Sequence, residues 1–139
     1  LNIERDVVRQ VFKSGFKSLT PEQLRTLPGI RCEVNPAYED FIKRSMGRHA
    51  AAGASFANYC EAQMVWDITM AWNAVNYLRN HPEKTLVVMA GGGHSWRHGI
   101  PEQVSRLSNA PYIIILLELS EEMLLEDFSL QDADYLWME

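Results

Sequence analysis

Residues 85–117 decide the fold class, and they read TLVVMAGGGHSWRHGIPEQVSRLSNAPYIIILL. The apolar runs Thr85–Ala90 and Pro111–Leu117 contain β-branched residues without polar alternation, which is typical of strands covered on both faces. Between them, Ile100-Pro101-Glu102-Gln103 begins a helix that extends to about Leu107. Strand, helix and strand in this order predict a βαβ unit with parallel strands and a right-handed crossover. We therefore expect an α/β fold, a parallel-sheet core with helices on both faces.

A long helix is predicted before this unit. Phe56–Leu78 contains no glycine or proline, so it should form one helix of about six turns. One broad side of it is apolar, and the opposite side carries the polar residues Glu61, Thr69, Asn73, Asn76, Arg79 and Asn80. Gln63 and Asp67 fall one turn apart on the apolar side, where a carboxylate is costly unless it is paired. They belong either to a hydrogen-bonded structural network or to a polar site into which both project.

Shorter helices are indicated nearer the N-terminus. Glu4–Ser14 has apolar residues at helical spacing, and this helix should end at Gly15. Thr20-Pro21-Glu22-Gln23 has the elements of a capping box, and Asn35-Pro36 repeats the signal of a cap followed by proline. The signals at Thr20 and at Asn35 each predict the start of a helix.

Length and composition indicate one folded unit. The 139 residues are 47% hydrophobic and 22% charged, as in an ordinary globular domain. We expect 1–139 to be a single domain portion that is helical in 1–80. The βαβ unit and a closing segment should occupy 85–139, with Ala133–Trp137 as a closing edge strand.

Charge and hydropathy exclude several classes of function. A net charge of -5 leaves no broad basic surface for phosphates, so we expect no nucleic-acid partner. The apolar run Tyr112–Leu117 is too short to cross a bilayer, and no signal segment opens the chain. Cys32 and Cys60 lack CxxC spacing, so a disulfide between them, two buried thiols or one reactive thiol all stay open.

A glycine-rich loop follows the first predicted strand, at the end of a parallel sheet where ligands bind. Gly91, Gly92 and Gly93 allow a ligand to approach the backbone closely. Trp96 stands where a dinucleotide fingerprint has its third glycine, and no Gly-Lys-Ser/Thr follows. A nucleotide cofactor is therefore not favoured.

The same loop carries residues suited to haem. His94 and His98 flank Trp96 and Arg97. Imidazoles bind iron and other metals, aromatic rings pack on porphyrins, and guanidinium groups pair with propionates. Haem is the candidate ligand, and purely structural roles for these side chains stay open as the alternative. His49, which follows a predicted helix, is a weaker metal candidate, more often a cap or surface residue.

Four stretches of the chain match, in order, the motifs of one known family. They are Leu1-Asn2 with Val7-Val8 and Val11, then Ala62–Ala71 (AQMVWDITMA), then Val88–His94 followed by Gly99-Ile100-Pro101, and finally Asp134–Trp137 (DYLW). In these stretches the chain resembles the ChaN-like haem-binding uptake family of the TIKI superfamily. The resemblance places His94 in that family's GxxH motif at the ligand-facing sheet edge, and Gln63 and Asp67 on the long helix that faces it.

The resemblance also implies a cellular role. It implies a bacterial cell-envelope protein that binds haem and takes part in iron uptake, held at the membrane by a lipid anchor that is absent from this chain. The chain would be the C-terminal part of a larger EreA/ChaN-like domain, with an N-terminal half missing before Leu1. A homodimer is a further expected partner. The iron ligand, tyrosine or histidine, stays open.

Two other functions stay open. One is a metal-dependent hydrolase or peptidase of the TIKI superfamily, with a divalent metal as cofactor. The proteases of that superfamily need two GxxH motifs, so we assign no catalytic residue and do not expect an enzyme from these residues alone. The other is a non-catalytic protein-interaction module that uses the acidic tail Glu118–Glu139.

Overall fold

A computed structural model describes residues 2–27, 36–46, 55–117 and 128–137. Within these ranges the helices are α1 (Arg5–Ser14), α2 (Pro21–Thr26), α3 (Pro36–Met46), α4 (Phe56–Asn80), α5 (Gly92–Ser95) and α6 (Ile100–Leu107). Two short strands follow, β1 (Ile115–Leu116) and β2 (Tyr135–Leu136). The predicted N-terminal, central and crossover helices are confirmed. In the part of the chain that is described, no helix is long and apolar enough to cross a bilayer.

Hydrogen bonds stabilise the helix ends that the sequence predicts. The Thr20 hydroxyl accepts from the Gln23 backbone N–H at 3.2 Å, and the Gln23 side chain accepts from the Thr20 N–H at 2.8 Å. This completes the capping box of α2. Gly15, with φ of 79°, follows α1 in a conformation that side chains disfavour. Ser55 caps α4 by accepting from the Asn58 N–H at 3.1 Å.

Helix α4 is the centre of the packing, because all three buried clusters found among the described residues include its side chains. The first joins α4 to α3 and β1, and consists of Tyr38, Ile42, Cys60, Met64, Ile68, Trp96, Ile114, Leu116 and Ala133. The second joins it to α1 and includes Val7, Val8, Val11, Ala62 and Val65. The third joins it to α6 through Met70, Ala71 and Ile100. Each fully buried large apolar side chain contributes about 1.5–3 kcal/mol.

One position on α4 differs from the prediction. Thr69 belongs to the predicted polar side, but it is 8% exposed in the structure. Helix α1 covers the adjacent side of α4, where Ala62 and Val65 are buried. The Thr69 hydroxyl remains satisfied because it donates to the Val65 carbonyl at 2.7 Å. The buried surface of α4 is therefore wider than the periodicity indicates.

The sheet is smaller than expected. Strands β1 and β2 pair in parallel, with Ile115 opposite Tyr135, so within the described ranges the fold is helix-rich with a two-stranded parallel sheet. The predicted strand Thr85–Ala90 belongs to no ladder among these residues. A strand needs a hydrogen-bonded neighbour, and no described residue takes that position.

Burial on both faces is also not observed among the described residues. In both apolar runs of the βαβ unit, one face packs on helices and the other is bare, with Val87 80%, Met89 90%, Ile113 70% and Leu117 70% exposed. The expected core with helices on both faces is thus absent from the described part of the chain. Thr85–Ala90 and Pro111–Leu117 are thus each covered on one face by helices. The other face of each segment has no neighbour among the described residues.

Four features of the sequence lie outside the described residues: the Asn35 cap, Cys32, His49 and the acidic segment 118–127. Cys60 is described, and it is a buried free thiol in the first cluster. Burial raises the pKa of this thiol to about 11. A thiol with such a pKa is not a reactive nucleophile at neutral pH.

Candidate functional site

The site is built around the carboxylate of Asp67, which is 1% exposed. Its Oδ1 atom lies 2.6 Å from His94 Nδ1, and its Oδ2 atom accepts from the Tyr38 hydroxyl at 3.0 Å. Helices α3, α4 and α5 supply one member each. The Asp67 carboxylate is therefore satisfied by hydrogen bonds, as the structural explanation requires, and one of its partners is a histidine of the glycine-rich loop.

Burial and hydrogen bonding act in opposite directions on Asp67. Desolvation raises the pKa of this carboxyl above its ordinary value, and the His94 and Tyr38 contacts oppose that rise. When Asp67 is ionised it only accepts hydrogen bonds, so His94 carries its proton on Nδ1. The Nε2 atom of a neutral His94 then has its lone pair available. The His94 side chain is 22% exposed, so part of it reaches the surface.

Local contacts fix the His94 ring. The His94 backbone N–H donates to the Gly91 carbonyl at 2.8 Å, which starts the short helix α5. Trp66, one residue before Asp67 on α4, contacts the ring edge-on, with ring centroids 5.6 Å apart and planes at 85°. The ring is thus held by a carboxylate, an indole and the turn of its own loop.

Glycine is required at one end of the loop. A Cβ atom on Gly99 would lie 2.5 Å from the His94 carbonyl oxygen, a backbone atom that cannot move aside alone. At Gly91 the nearest atom to such a Cβ would be His94 Cδ2, at 4.0 Å. The close approach of Gly99 to His94 therefore depends on the missing side chain, whereas Gly91 has room for one.

Gln63 and Asp67 have different hydrogen-bond partners. Its Nε2 atom donates to the Tyr59 hydroxyl at 2.5 Å, one turn away on the same helix. Burial is the largest cause of the raised pKa of Tyr59, and the Asp67 charge adds to it. Gln63 and Tyr59 thus form a second polar pair beside the first, without a direct hydrogen bond to His94.

The other side chains of the loop contact the protein itself. Trp96 is 3% exposed and packs in the first cluster. Arg97 binds Asp134 at 2.5 Å, and His98 Nδ1 lies 3.0 Å from Glu102 Oε2 on α6. Of the loop residues singled out from the sequence, His94 is therefore the one that the structure brings to Asp67.

Arg97 ties the loop to the closing segment. Its backbone N–H donates to the Asp132 carbonyl at 2.7 Å, and its Nε donates to the Leu130 carbonyl at 3.1 Å. Asp134 also accepts from the Ile114 N–H at 2.8 Å. The hydrogen bond from Ile114, followed by that from Arg97, lowers the pKa of Asp134. One carboxylate therefore joins the loop, the closing segment and the residue before β1.

Comparison with known proteins identifies a family. A family model described as haem-binding uptake, Tiki superfamily, ChaN matches residues 1–104. The matched region contains Tyr38, Asp67 and the loop from Gly91 to Gly99. Neither the curated proteins nor the solved structures gave a match.

Replacing Gly99 with alanine should disturb the His94 turn. The new Cβ would overlap the His94 carbonyl, so we expect Gly99→Ala to lower the free energy of unfolding by about 1–3 kcal/mol. Gly91→Ala is the matched control and should change it by less than about 0.5 kcal/mol. Urea unfolding of both variants measures the difference, and equal stabilities would contradict the requirement for glycine at 99.

The contribution of Asp134 to stability should depend on pH. Its pKa is lowered on folding, so the stabilisation is fully present above the ordinary value of 3.8 and is lost as pH falls through the lowered value. The stability difference between the wild type and Asp134→Asn should therefore shrink as the pH falls from about 6 to about 2. Urea midpoints across this range measure it, and a constant difference would show that Asp134 does not act through its charge.

Proposed function

We propose that this chain, which belongs to the haem-binding uptake family ChaN of the Tiki superfamily, binds haem through the Nε2 atom of His94. The observation that carries this proposal is the 2.6 Å contact between His94 Nδ1 and the buried Asp67 carboxylate. Histidines that bind metals commonly have their other ring nitrogen on a carboxylate, which fixes the ring and raises the basicity of the ligating nitrogen.

The donor set suits haem better than a bare metal ion. The porphyrin already supplies the equatorial ligands of its iron, so one oriented imidazole from the protein is enough for an axial bond. A hydrolytic zinc site needs several protein ligands together with a water molecule. Here the two polar side chains at the centre of the site, Asp67 and His94, bind one another. Haem is therefore preferred over a divalent metal and a hydrolase function.

The surroundings of His94 fit a flat ligand. Gly91 and Gly93 are exposed and carry no side chain, so the backbone of the loop leaves room beside the imidazole. Trp66 supports the ring from its edge. Arg97 and His98 already bind Asp134 and Glu102, so we do not assign them to the haem propionates or the iron.

We place this binding in haem and iron uptake at the bacterial cell envelope. The support is the description of the family as one of haem-binding uptake. In such a role haem is cargo, and the protein holds and releases it without chemical change. The task of Asp67 is then to orient the His94 ring by accepting a hydrogen bond from Nδ1, which leaves Nε2 for the ligand.

Replacing His94 should weaken haem binding. His94→Ala removes the proposed axial ligand, so we expect a loss of haem affinity of about 10-fold or more and a shifted Soret band. His98→Ala is the matched control from the same loop, and it should bind haem like the wild type. Haem titration followed by absorbance measures both. A His94→Ala variant with wild-type affinity and spectrum would remove His94 from the site.

Replacing Asp67, whose carboxylate contacts His94 Nδ1, should weaken haem binding almost as much as replacing His94. Asp67→Asn removes its negative charge, so we expect haem affinity to fall by about 10- to 100-fold. Tyr38→Phe removes one hydrogen bond to Asp67 and leaves the His94 contact, so its effect should be smaller. Circular dichroism checks that both variants are folded. Wild-type haem affinity in folded Asp67→Asn would show that the ring needs no support from Asp67.

A further inference from the structure

Helix α4 carries a second polar pair near the Asp67 carboxylate. Gln63 Nε2 donates to the Tyr59 hydroxyl at 2.5 Å, and the two residues are one turn apart on the helix. Both residues are partly buried, so some of their surface remains accessible to solvent. The hydrogen bonds that join Tyr38, Asp67 and His94 do not include them. These two side chains are called the Gln63–Tyr59 pair below.

The spacing along α4 places Gln63 next to the residues that hold His94. Trp66 and Asp67 contact the His94 ring, and they follow Gln63 by one turn of the helix. Residues at this separation are neighbours on a helix surface, with Cβ atoms about 5–6 Å apart. Helical side chains also lean toward the N-terminus, so the Asp67 side chain leans toward Gln63. Gln63 therefore lies beside the part of α4 that the His94 ring contacts.

The Gln63–Tyr59 pair has hydrogen-bond donors that are not used within the protein. The Tyr59 oxygen accepts one Gln63 N–H, which leaves the phenol O–H and the second amide N–H. Neither of these has an acceptor among the described residues. Turning the Gln63 amide around leaves its two N–H groups instead, so the pair offers two donors in both orientations.

Contacts within the protein keep the Tyr59 phenol in place as a donor. Phe12 of α1 packs edge-on against its ring, with ring centroids 5.8 Å apart and planes at 78°. Burial is the largest cause of the raised pKa of Tyr59, so the hydroxyl keeps its proton at neutral pH. The pair is thus an uncharged set of donors with a fixed ring.

A carboxylate is a group that fits two adjacent donors. Each of its oxygens accepts hydrogen bonds, and bonds to an ionised acceptor are stronger than bonds to a neutral one. Haem carries its carboxylates, the propionates, on one edge of the porphyrin, away from the iron. Arg97 and His98 are engaged with Asp134 and Glu102, so the propionates need donors from another part of the chain.

We propose that the Gln63–Tyr59 pair binds a propionate carboxylate of haem. This inference rests on the haem binding proposed above, and it adds the residues that recognise the acidic edge of the porphyrin. The order of the groups along α4 supports it. His94 is held at Trp66 and Asp67, and the pair follows toward the N-terminus, about 6 and 12 Å from Asp67 along the helix axis.

The charges along α4 favour an anion at the pair. Tyr59 completes the first turn of α4, which contains no acidic side chain. The N-terminal end of a helix dipole stabilises negative charge. The Asp67 charge lies two turns away and is already bonded to His94 and Tyr38. A carboxylate at Tyr59 and Gln63 is therefore kept apart from the buried carboxylate of the site.

Titration of the protein with haem and with haem dimethyl ester tests the proposal. The ester keeps the iron and the porphyrin but has no ionised carboxylate. We expect the wild type to bind haem at least about 10-fold more tightly than the ester. The net charge of -5 repels the propionates, so such a preference must come from a local contact.

The titration separates this inference from the proposed function. Equal affinity for haem and its ester, with a Soret band that still depends on His94, would overturn the role of the pair and leave haem binding intact. If the wild type binds neither porphyrin, both proposals fail.

Variants of the pair locate the contact. Gln63→Met keeps the length of the side chain without its amide, and Tyr59→Phe removes the hydroxyl. Each should weaken haem binding by about 5- to 10-fold and leave the affinity for the ester unchanged. The Soret band should stay as in the wild type, because His94 is retained. An equal loss of affinity for both porphyrins would assign the pair a structural role and overturn the proposal.

Tyr77→Phe is the matched control. Tyr77 is 43% exposed and lies on the same side of α4 as Tyr59, about 27 Å further along the axis. This variant should bind both porphyrins like the wild type, and a loss of haem affinity equal to that of Tyr59→Phe would contradict the proposal. Circular dichroism checks the folding of each variant. If Tyr59→Phe does not fold, Gln63→Met and the wild-type comparison of haem with its ester decide.

Discussion

A buried carboxylate sets the geometry of this site. Taking an ion such as Asp67 out of water costs several kcal/mol unless hydrogen bonds and opposite charge compensate for it. Its partners, Tyr38 and His94, come from helices that lie on either side of α4 in the chain. Satisfying one side chain therefore fixes α3 and the glycine-rich loop against α4. The hydrogen bonds that stabilise the Asp67 carboxylate also orient the His94 ring. Its Nδ1 atom contacts Asp67, and its Nε2 atom is left for a ligand.

The loop that carries His94 is held at three further points. Trp96 is anchored in the core, Arg97 binds Asp134, and Gly99 packs directly on the His94 carbonyl. These contacts leave the loop little freedom to rearrange. Metal and cofactor sites depend on such supporting contacts, because a ligand displaced by about 1 Å loses much of its effect. The residues between the two histidines thus serve His94 by fixing the loop.

Both members of the central pair are recognisable in the sequence, Asp67 by helix geometry and His94 by its position in the loop. Asp67 stood out because a carboxylate fell on an apolar side, and His94 because it ends a glycine run at a strand end. Tyr38 was missed, since no spacing rule connects residues that are 29 apart in the chain. Trp96 and Arg97 have the chemistry of haem contacts, but tertiary packing places Trp96 in the first cluster and Arg97 on Asp134. The predicted strands are confirmed in part, at Ile115–Leu116 and Tyr135–Leu136. Thr85–Ala90 belongs to no ladder among the described residues, because apolar periodicity shows which faces need covering and does not identify the neighbour.

The turn that carries His94 is linked to the segment Thr85–Ala90 through Ala90. This residue ends the unpaired segment, and its carbonyl accepts from the Ser95 hydroxyl at 3.1 Å, one residue after His94. Packing of Val88 and Ala90 against α4 and α6 holds this segment and, through Ser95, the turn that carries His94. A ligand then meets an imidazole whose position is already fixed, so less conformational entropy is lost on binding. In the proposed site, the position of His94 therefore depends on the packing of Thr85–Ala90, although these residues need not touch the ligand.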